Sequence, residues 1–439
     1  MPLTQAQIQA ARAVQHAAAH DQAQHVRVVA GPGTGKSSAI EERVRWLLAQ
    51  GTQPAAIYAV SFTRASALDL RQRVHAYCLQ NGDASAAQVR VTTLHSLALR
   101  TLRTAGLLTA YPVDPFVLDS WELENVFDAE FGQASSISKE RREKIRLEHE
   151  AFWSTGQWGA PNYVTPNPPI TPAERSQFSA FHGPRTQSYS CVLPGEIVRQ
   201  CVAHMAAGTL NAVALLNLED LVVDEFQDLN PMDLQFVDAM ATQGARIFVA
   251  GDDDQSIYSF RFASPAGIQS FITKYPQCGQ HTLTGCFRIP RTQNAAPISL
   301  QCGQHTLTGC FRCTPNVLAA GQTLIAANAQ PNRIPKNHVS LYLAAVPPLR
   351  GVVHRWQFPS GVAEARAVAE SCRDFIASGI NPREILVLIS NQRVLLPLLG
   401  SEFQNAGVAY ERPRAEGFLD SPTGRLVLAT IRIVCEEDD

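Results

Sequence analysis

The chain has 439 residues, 45% of them apolar, and a formal net charge of −2, a length that predicts about three domains. Charged residues make up only 17%, which excludes a disordered tail protein and a strongly basic, histone-like binder. A nucleic-acid partner would therefore need a local basic groove. Because no segment approaches the ~20 apolar residues of a membrane helix and residues 1–14 lack a signal pattern, we expect a cytoplasmic protein with reduced thiols.

Short apolar runs typical of buried strands alternate with helical patterns. The predicted strands are 25–30, 57–62, 221–223 and 246–250, and helices are predicted over 38–50 and 65–79. Strands that alternate with helices imply parallel βαβ units and a covered α/β sheet. Ligands of such sheets bind beyond the carboxyl ends of the strands.

The strongest motif lies between the first strand and the first of these helices, in the sequence AGPGTGKS. Glycines let successive backbone amides point inward, and the following helix N-terminus adds positive potential for phosphates. Lys36 can reach the β- and γ-phosphates, and the Ser37 hydroxyl can complete a Mg²⁺ shell. The predicted nucleotide-binding residues are Ala30, Gly31, Pro32, Gly33, Thr34, Gly35, Lys36 and Ser37, with Arg43 on the helix that follows.

A helical segment is predicted between the second and third of these strands. Residues 114–155 have a helical pattern with a charge-dense run at 139–150, which favours a solvated helix face over a nucleic-acid contact. A proline-rich stretch follows at 156–172. Since the α/β pattern resumes after it, we expect an inserted helical subdomain.

Two adjacent carboxylates follow the apolar run at 221–223. Asp224 is expected to hold Mg²⁺, and Glu225 to orient and deprotonate the attacking water. Together with the phosphate-binding loop, this pair predicts an NTPase that hydrolyses its nucleotide.

The sequences DEFQD at 224–228 and GDDDQSIY at 251–258 resemble motifs of the UvrD/Rep/PcrA superfamily 1 DNA helicases. The resemblance implies an ATP- and Mg²⁺-dependent 3′-to-5′ helicase acting on single-stranded DNA and on single/double-strand junctions. It also implies that Gln7, at the end of a Q-motif-like LTQAQ, reads adenine, and that Gln255 senses the γ-phosphate. The implied organisation is a first RecA-like domain at 1–105 and 206–277, a helical insert at 106–205 and a partial second RecA-like domain at 278–439.

Further segments resemble family motifs that touch single-stranded DNA, SFTRA at 61–65 and TTLHS at 92–96. From the residues themselves, an extended backbone would put Tyr258 and Phe260 on one side, as an aromatic platform for bases beside an arginine; core packing is the alternative for such a pair. The candidate DNA-binding residues are Phe62, Thr63, Arg64, Thr93, His95, Tyr258, Phe260 and Arg261.

The segment QCGQHTLTGCFR occurs twice, at 277–288 and 301–312. Its cysteines and histidines have a spacing unlike that of usual zinc sites, so we do not expect zinc there. The resemblance assigns the second copy to the family's next motif, in which Phe311 would stack on adenine and Arg312 would face the phosphates. Arg288 is the alternative in the first copy, but a clearer helical pattern follows the second.

Residues 364–378, 385–389 and 393–406 are predicted as helix, strand and helix of the second RecA-like domain. The family's late motifs have no counterpart in the chain, so we expect an amino-terminal half of a helicase that unwinds DNA weakly alone. A second polypeptide could supply the missing motifs. The alternative is a non-catalytic remnant that binds DNA or nucleotide.

Overall fold

A computed structural model describes residues 5–31, 34–113, 115–118, 120–160, 165–193, 195–283, 309–310, 314–327, 332–334, 339–340, 351–390 and 392–411. The chain forms two compact units, Met1–Val353 and His354–Asp439. Among the described helices, none is long and apolar enough to cross a bilayer.

The strands of the first unit are β1 (His25–Ala30), β2 (Ile57–Ser61), β3 (Arg90–Thr93), β4 (Phe116–Val117), β5 (Cys191–Val192), β6 (Asp220–Val223), β7 (Arg246–Gly251), β8 (Gly279–Leu283), β9 (Gly309–Cys310) and β10 (Val339–Ser340). Six of them form one parallel sheet in the order β3–β2–β6–β7–β1–β8, while β4 pairs with β5 and β9 with β10. The predicted α/β fold and its four predicted strands are confirmed. The order puts the ends of β1, β7 and β6 side by side.

Strand β8 was not predicted, because its sequence GQHTL lacks an apolar run. It pairs with β1 from Val26↔Gly279 to Ala30↔Leu283, on the outer edge of the sheet where polar side chains are tolerated. His281, on this strand, contacts Asp21 with 2.6 Å between Nε2 and Oδ2. The sheet thus extends beyond residue 277, the boundary expected for the first domain, and takes in part of the first repeat copy.

Helices cover both faces of the sheet. The helices of this unit are α1 (Gln5–Ala19), α2 (Lys36–Ala49), α3 (Arg64–Gln80), α4 (Leu94–Thr104), α5 (Ser120–Glu122), α6 (Asp128–Ser135), α7 (Lys139–Thr155), α8 (Pro172–Ser188), α9 (Glu196–Ala206), α10 (Ala212–Leu216), α11 (Pro231–Thr242), α12 (Ala266–Lys274) and α13 (Pro315–Ala327). Neighbouring strand residues point to opposite faces, so Val28 belongs to an apolar cluster with residues of α1, α2 and α3. Val29 belongs to a second cluster with residues of α4, α9 and α11.

The segment from β4 to β5 has a separate aromatic core. Phe131 and Phe178 meet edge to face with 5.3 Å between ring centroids, and both are fully buried. Beside this core, the buried Arg146 guanidinium pairs with Asp128 at 3.0 Å and Glu150 at 2.5 Å. The charged run of α7 is therefore only partly solvated, because Arg146 and its partners turn inward.

The second unit has two packed helices, α14 (Gly361–Ala377) and α15 (Gln392–Asn405), which confirm the predicted helical segments. The predicted strand at 385–389 is wrong. Its residues have no strand partner among the described residues of this unit, and Leu386 and Leu388 are 78% and 84% exposed. An apolar run forms a strand only where another strand can pair with it.

We predict that Phe178→Ala lowers the free energy of unfolding by about 3–5 kcal/mol, because it leaves a cavity between buried rings. Urea unfolding of the whole chain measures this. The matched control is Phe116→Ala, since Phe116 is 47% exposed and its loss should cost well under 1 kcal/mol. Equal losses in both variants would contradict the aromatic core described above.

Candidate nucleotide and nucleic-acid site

The loop after β1 wraps back on itself before α2 begins at Lys36. The Thr34 amide and hydroxyl both donate to the Gly31 carbonyl, at 3.2 and 2.8 Å. Gly35 has φ of 92°, and an added Cβ would lie 2.0 Å from Gln15 Nε2. Glycine is therefore favoured there by the backbone conformation, and a larger residue would also displace the Gln15 side chain. Gln15 donates to the Thr34 carbonyl at 2.9 Å, which fixes α1 against the loop.

Lys36 lies between the two carboxylates that follow β6. Its Nζ is 3.2 Å from Asp224 Oδ1 and also contacts Glu225 Oε2. Burial alone would lower the pKa of Lys36, but the two carboxylates outweigh it and the pKa is raised. Burial raises the pKa of Asp224. Burial would also raise the pKa of Glu225, but Lys36 lowers it below the usual range, so Glu225 is ionised at neutral pH.

A cleft of about 560 Å³ opens beside this cluster and is lined by Ser37, Asp224 and Glu225 together with residues of α3. The Ser37 hydroxyl and the Asp224 carboxylate are oxygen donors of the kind Mg²⁺ prefers. The Lys36 ammonium already shows that a cation fits against Asp224 and Glu225. The residues present therefore fit the predicted metal.

Gln227 bridges the ends of β6 and β7. Its Nε2 donates to Glu225 Oε2 at 2.9 Å, and its Oε1 accepts from the Asp252 amide at 2.9 Å. Glu225 has φ of 53°, a conformation rare for a non-glycine residue, which turns the chain into the 3₁₀ turn that carries Gln227. Burial and the neighbouring Glu225 raise the pKa of Asp228 to about 7.

The acidic segment after β7 has its own hydrogen-bond network. Gln255 Nε2 donates to Asp252 Oδ2 at 2.5 Å. Arg333 pairs with both oxygens of Asp254, at 2.6 and 2.9 Å, and the Ile334 amide donates to Asp253 Oδ2 at 2.8 Å. A segment far along the chain therefore holds the acidic turn that carries Gln255.

Aromatic residues predicted to contact DNA also meet beyond the carboxyl ends of the strands. The rings of Phe62 and Tyr258 are 5.0 Å apart, and the Arg261 guanidinium carbon lies 5.9 Å from the Phe62 ring. The extended backbone expected over 258–260 is wrong. Residues Ser259–Arg261 form a 3₁₀ turn closed by the Arg261 amide on the Tyr258 carbonyl at 2.8 Å, so strand alternation does not decide where these side chains point.

Two of the predicted DNA-binding threonines cap helices. Thr63 accepts from the Ser66 amide at 3.0 Å at the start of α3, and Thr93 accepts from the Ser96 amide at 3.2 Å at the start of α4. Because β2 and β3 are neighbours, these helix N-termini lie side by side. Arg64 is exposed and His95 half-buried in the first turns of the same helices.

The Arg43 guanidinium does not lie at the carboxyl ends of the strands, so its expected role in nucleotide binding is wrong. Its buried guanidinium donates to the carbonyls of Ala19 and Asp21, at 3.1 and 2.5 Å. Both residues precede β1, so they lie near the amino-terminal ends of the strands. Arg43 is seven residues beyond Lys36, a rise of about 10 Å along α2, which carries its side chain away from the loop that begins the helix.

Several of the predicted site residues are not among the residues that the structure describes. These are Pro32, Gly33, Arg288, Phe311 and Arg312, and the side chains of Gln7 and Phe260, whose backbones belong to α1 and to the Ser259–Arg261 turn. Sequence reasoning also missed Gln15, Gln227 and Arg333. Gln227 belongs to the DEFQD motif and could have been noticed there, whereas Gln15 and Arg333 lie in segments without a recognisable motif.

We predict that Gly251→Ala weakens the bridge between β6 and β7. An added Cβ would lie 2.5 Å from Gln227 Oε1 and 2.9 Å from Ile268 Cδ1, so the free energy of unfolding should fall by about 1–3 kcal/mol. The control is Gly183→Ala within α8, where no atom lies within 4 Å of the added Cβ. Urea unfolding should show the control unchanged or stabilised, and two equally destabilised variants would contradict the prediction.

We predict that Arg333→Gln speeds hydrogen exchange of the amides of residues 252–255, because Asp254 loses its bidentate partner. The pair is partly exposed, at 28% and 14% for the two side chains, so global stability should fall by less than about 1 kcal/mol. Arg366→Gln is the control, since its pair with Glu402 is longer, 3.4 Å, and Arg366 is 61% exposed. Unchanged exchange at 252–255 would show that Arg333 does not hold this turn.

The sequence of this chain is similar to a known protein family and to several known proteins. Residues 11–261 match the family model described as an AAA domain. The ATP-dependent DNA helicase UvrD2 of Mycobacterium tuberculosis is 27% identical over 438 residues, covering 94% of this chain and 56% of that protein. DNA helicase II of Escherichia coli is 26% identical over 261 residues, covering 57% of this chain and 34% of that protein.

The ATP-dependent DNA helicase SRS2 of Saccharomyces cerevisiae is 27% identical over 268 residues, covering 56% of this chain and 23% of that protein. The chain thus spans about half the length of the mycobacterial relative. The phosphate-binding loop, the paired carboxylates and the acidic turn all lie within the matched region. The chain belongs to the UvrD/Rep-like superfamily 1 DNA helicases, and its AAA domain covers residues 11–261.

Proposed function

We propose that this chain is the ATP-hydrolysing part of a DNA translocase, which couples ATP hydrolysis to 3′-to-5′ movement on single-stranded DNA and to opening of single/double-strand junctions. One observation carries the proposal. Hydrogen bonds run without a break from Glu225 through Gln227 and Asp252 to Gln255, and Tyr258 follows three residues later. Glu225 and the aromatic pair of Phe62 and Tyr258 therefore lie at the same end of the strands, and hydrogen bonds connect Glu225 with the turn that precedes Tyr258.

In the nucleotide site, Lys36 would exchange its two carboxylate partners for the β- and γ-phosphates of ATP. Ser37 and Asp224 would hold Mg²⁺, which supplies charge neutralisation on those phosphates when bound. Once Lys36 has turned to the phosphates, the Glu225 carboxylate would accept a proton from the attacking water. Gln227 would keep Glu225 oriented, because its amide donates to Oε2 at 2.9 Å.

On the DNA side, the helix N-termini capped by Thr63 and Thr93 present the positive ends of two helix dipoles, which suit phosphates. Arg64 adds an exposed cation at the first of them. Phe62 and Tyr258 offer ring faces on which bases can stack in a sequence-tolerant way, and Arg261 lies beside them. This combination suits single-stranded DNA and needs no strongly basic surface, in agreement with the net charge of −2.

The test is ATP hydrolysis by the whole chain, with and without an oligothymidine strand. The parent should hydrolyse ATP faster with the strand, and Lys36→Ala should lose both rates because it lacks the phosphate-binding cation. A parent rate that the strand leaves unchanged would contradict the translocase. A parent rate no higher than that of Lys36→Ala, with or without the strand, would favour a non-catalytic DNA- or nucleotide-binding protein.

Tyr258→Ala tests the DNA surface. Loss of one stacked base is worth about 1–3 kcal/mol, so half-maximal stimulation should need roughly 5- to 150-fold more strand, with the maximal rate less affected. Tyr189→Ala is the control, because Tyr189 is 37% exposed on the helical insert. If both variants behave like the parent, Tyr258 does not bind DNA.

Direction is tested on duplexes with a 3′ or a 5′ single-stranded tail, and the 3′-tailed duplex should be the preferred substrate. Equal use of the two duplexes, or a preference for the 5′-tailed one, would contradict the 3′-to-5′ direction.

A further inference from the structure

A second group of ligand-type side chains lies between α1 and α2, away from the carboxylates of the nucleotide site. His16 and His20 are four residues apart on α1 and therefore share one face of the helix. Their ring centroids are 3.7 Å apart. Glu42 of α2 faces them, with 2.6 Å between His20 Nε2 and Glu42 Oε1.

One possible ligand atom from each of the three side chains lies within 4.8 Å of the other two. Zinc bonds to imidazole nitrogen and carboxylate oxygen are about 2.0–2.2 Å long, so tetrahedral ligands are separated by roughly 3.4 Å. Small side-chain rotations would close this difference. Two histidines and one carboxylate, with water in the fourth position, are also a ligand set that zinc adopts in proteins.

The surroundings of Glu42 hold its carboxylate in position. Arg45 donates to Oε2 at 2.9 Å and to Oε1 at 2.6 Å, and the Tyr77 hydroxyl donates to Oε2 at 2.6 Å. Hydrogen bonds of this kind orient metal ligands from outside the coordination sphere. Oε1, which accepts from Arg45 and contacts His20 Nε2, is the oxygen that would face a bound ion.

The orientation of His20 is fixed by its surroundings. His20 packs against Trp46, with 5.7 Å between ring centroids, which limits its rotation. Coordination through His20 Nε2 requires the tautomer protonated at Nδ1, and the ion then takes the place of the hydrogen now shared with Glu42.

We propose that His16, His20 and Glu42 form a binding site for a divalent transition-metal ion, with Zn²⁺ as the ion that suits the ligands best. The ion would join α1 to α2. These helices frame the phosphate-binding loop, since Gln15, the neighbour of His16, donates to the Thr34 carbonyl. The site is thus a structural link that holds α1 beside the loop, and it does not depend on the proposed translocase activity.

Zinc titration of the metal-free, reduced whole chain by calorimetry tests this proposal, with His16→Gln as the variant. His16 is exposed, so this change should leave the fold intact. The parent should bind one Zn²⁺ at least tenfold more tightly than His16→Gln does at the same site. The control His354→Gln removes an exposed histidine of the second unit and should behave like the parent.

Two further measurements separate this site from thiols elsewhere in the chain. Co²⁺ in place of Zn²⁺ should give visible absorption without a thiolate charge-transfer band, since the ligands are nitrogen and oxygen. Zn²⁺ should slow hydrogen exchange in α1 of the parent and of His354→Gln, but not of His16→Gln. Equal zinc binding by parent and His16→Gln, or purely thiolate-bound cobalt, would overturn the proposal.

Discussion

The paired carboxylates at the end of β6, with Asp224 buried and Glu225 partly buried, are the constraint around which this domain is organised. Asp224 and Glu225 are adjacent in the chain, and like charges in a low-dielectric site are costly without a cation. Lys36 meets this need because β1 and β6 are separated only by β7 in the sheet. Under the proposed function, a nucleotide with its metal would bring positive charge to the carboxylates and negative charge to Lys36.

A single polar residue, Gln227, connects the carboxylates after β6 with the turn after β7. Gln227 uses its amide nitrogen for Glu225 and its amide oxygen for the backbone of Asp252, so a shift of Glu225 acts directly on the acidic turn. Arg333 and the Ile334 amide hold the other side of that turn. The acidic turn therefore lies between the nucleotide site and a distant chain segment, and the aromatic pair follows it in sequence.

Local features of this protein could be predicted, and features that depend on long-range pairing could not. The buried strands and the phosphate-binding loop are encoded by short apolar runs and a contiguous motif, so their location was predictable. Strand β8 was missed because an edge strand needs no apolar run, and 385–389 was wrongly predicted as a strand because pairing is not local. Arg43 was misassigned because it is close to the loop in sequence but far from it along α2. Its side chain reaches the amino-terminal ends of the strands instead.

Thermodynamic coupling between the two ligands tests the central claim most directly. The dissociation constant of a fluorescent oligothymidine is measured by anisotropy with and without a non-hydrolysable ATP analogue and Mg²⁺, for the parent and for Gln227→Ala. Coupling energies of about 1–3 kcal/mol correspond to changes of roughly 5- to 150-fold. We expect a change of this size in the parent and a change of less than about twofold in Gln227→Ala. No change in the parent, or the same change in both proteins, would contradict it.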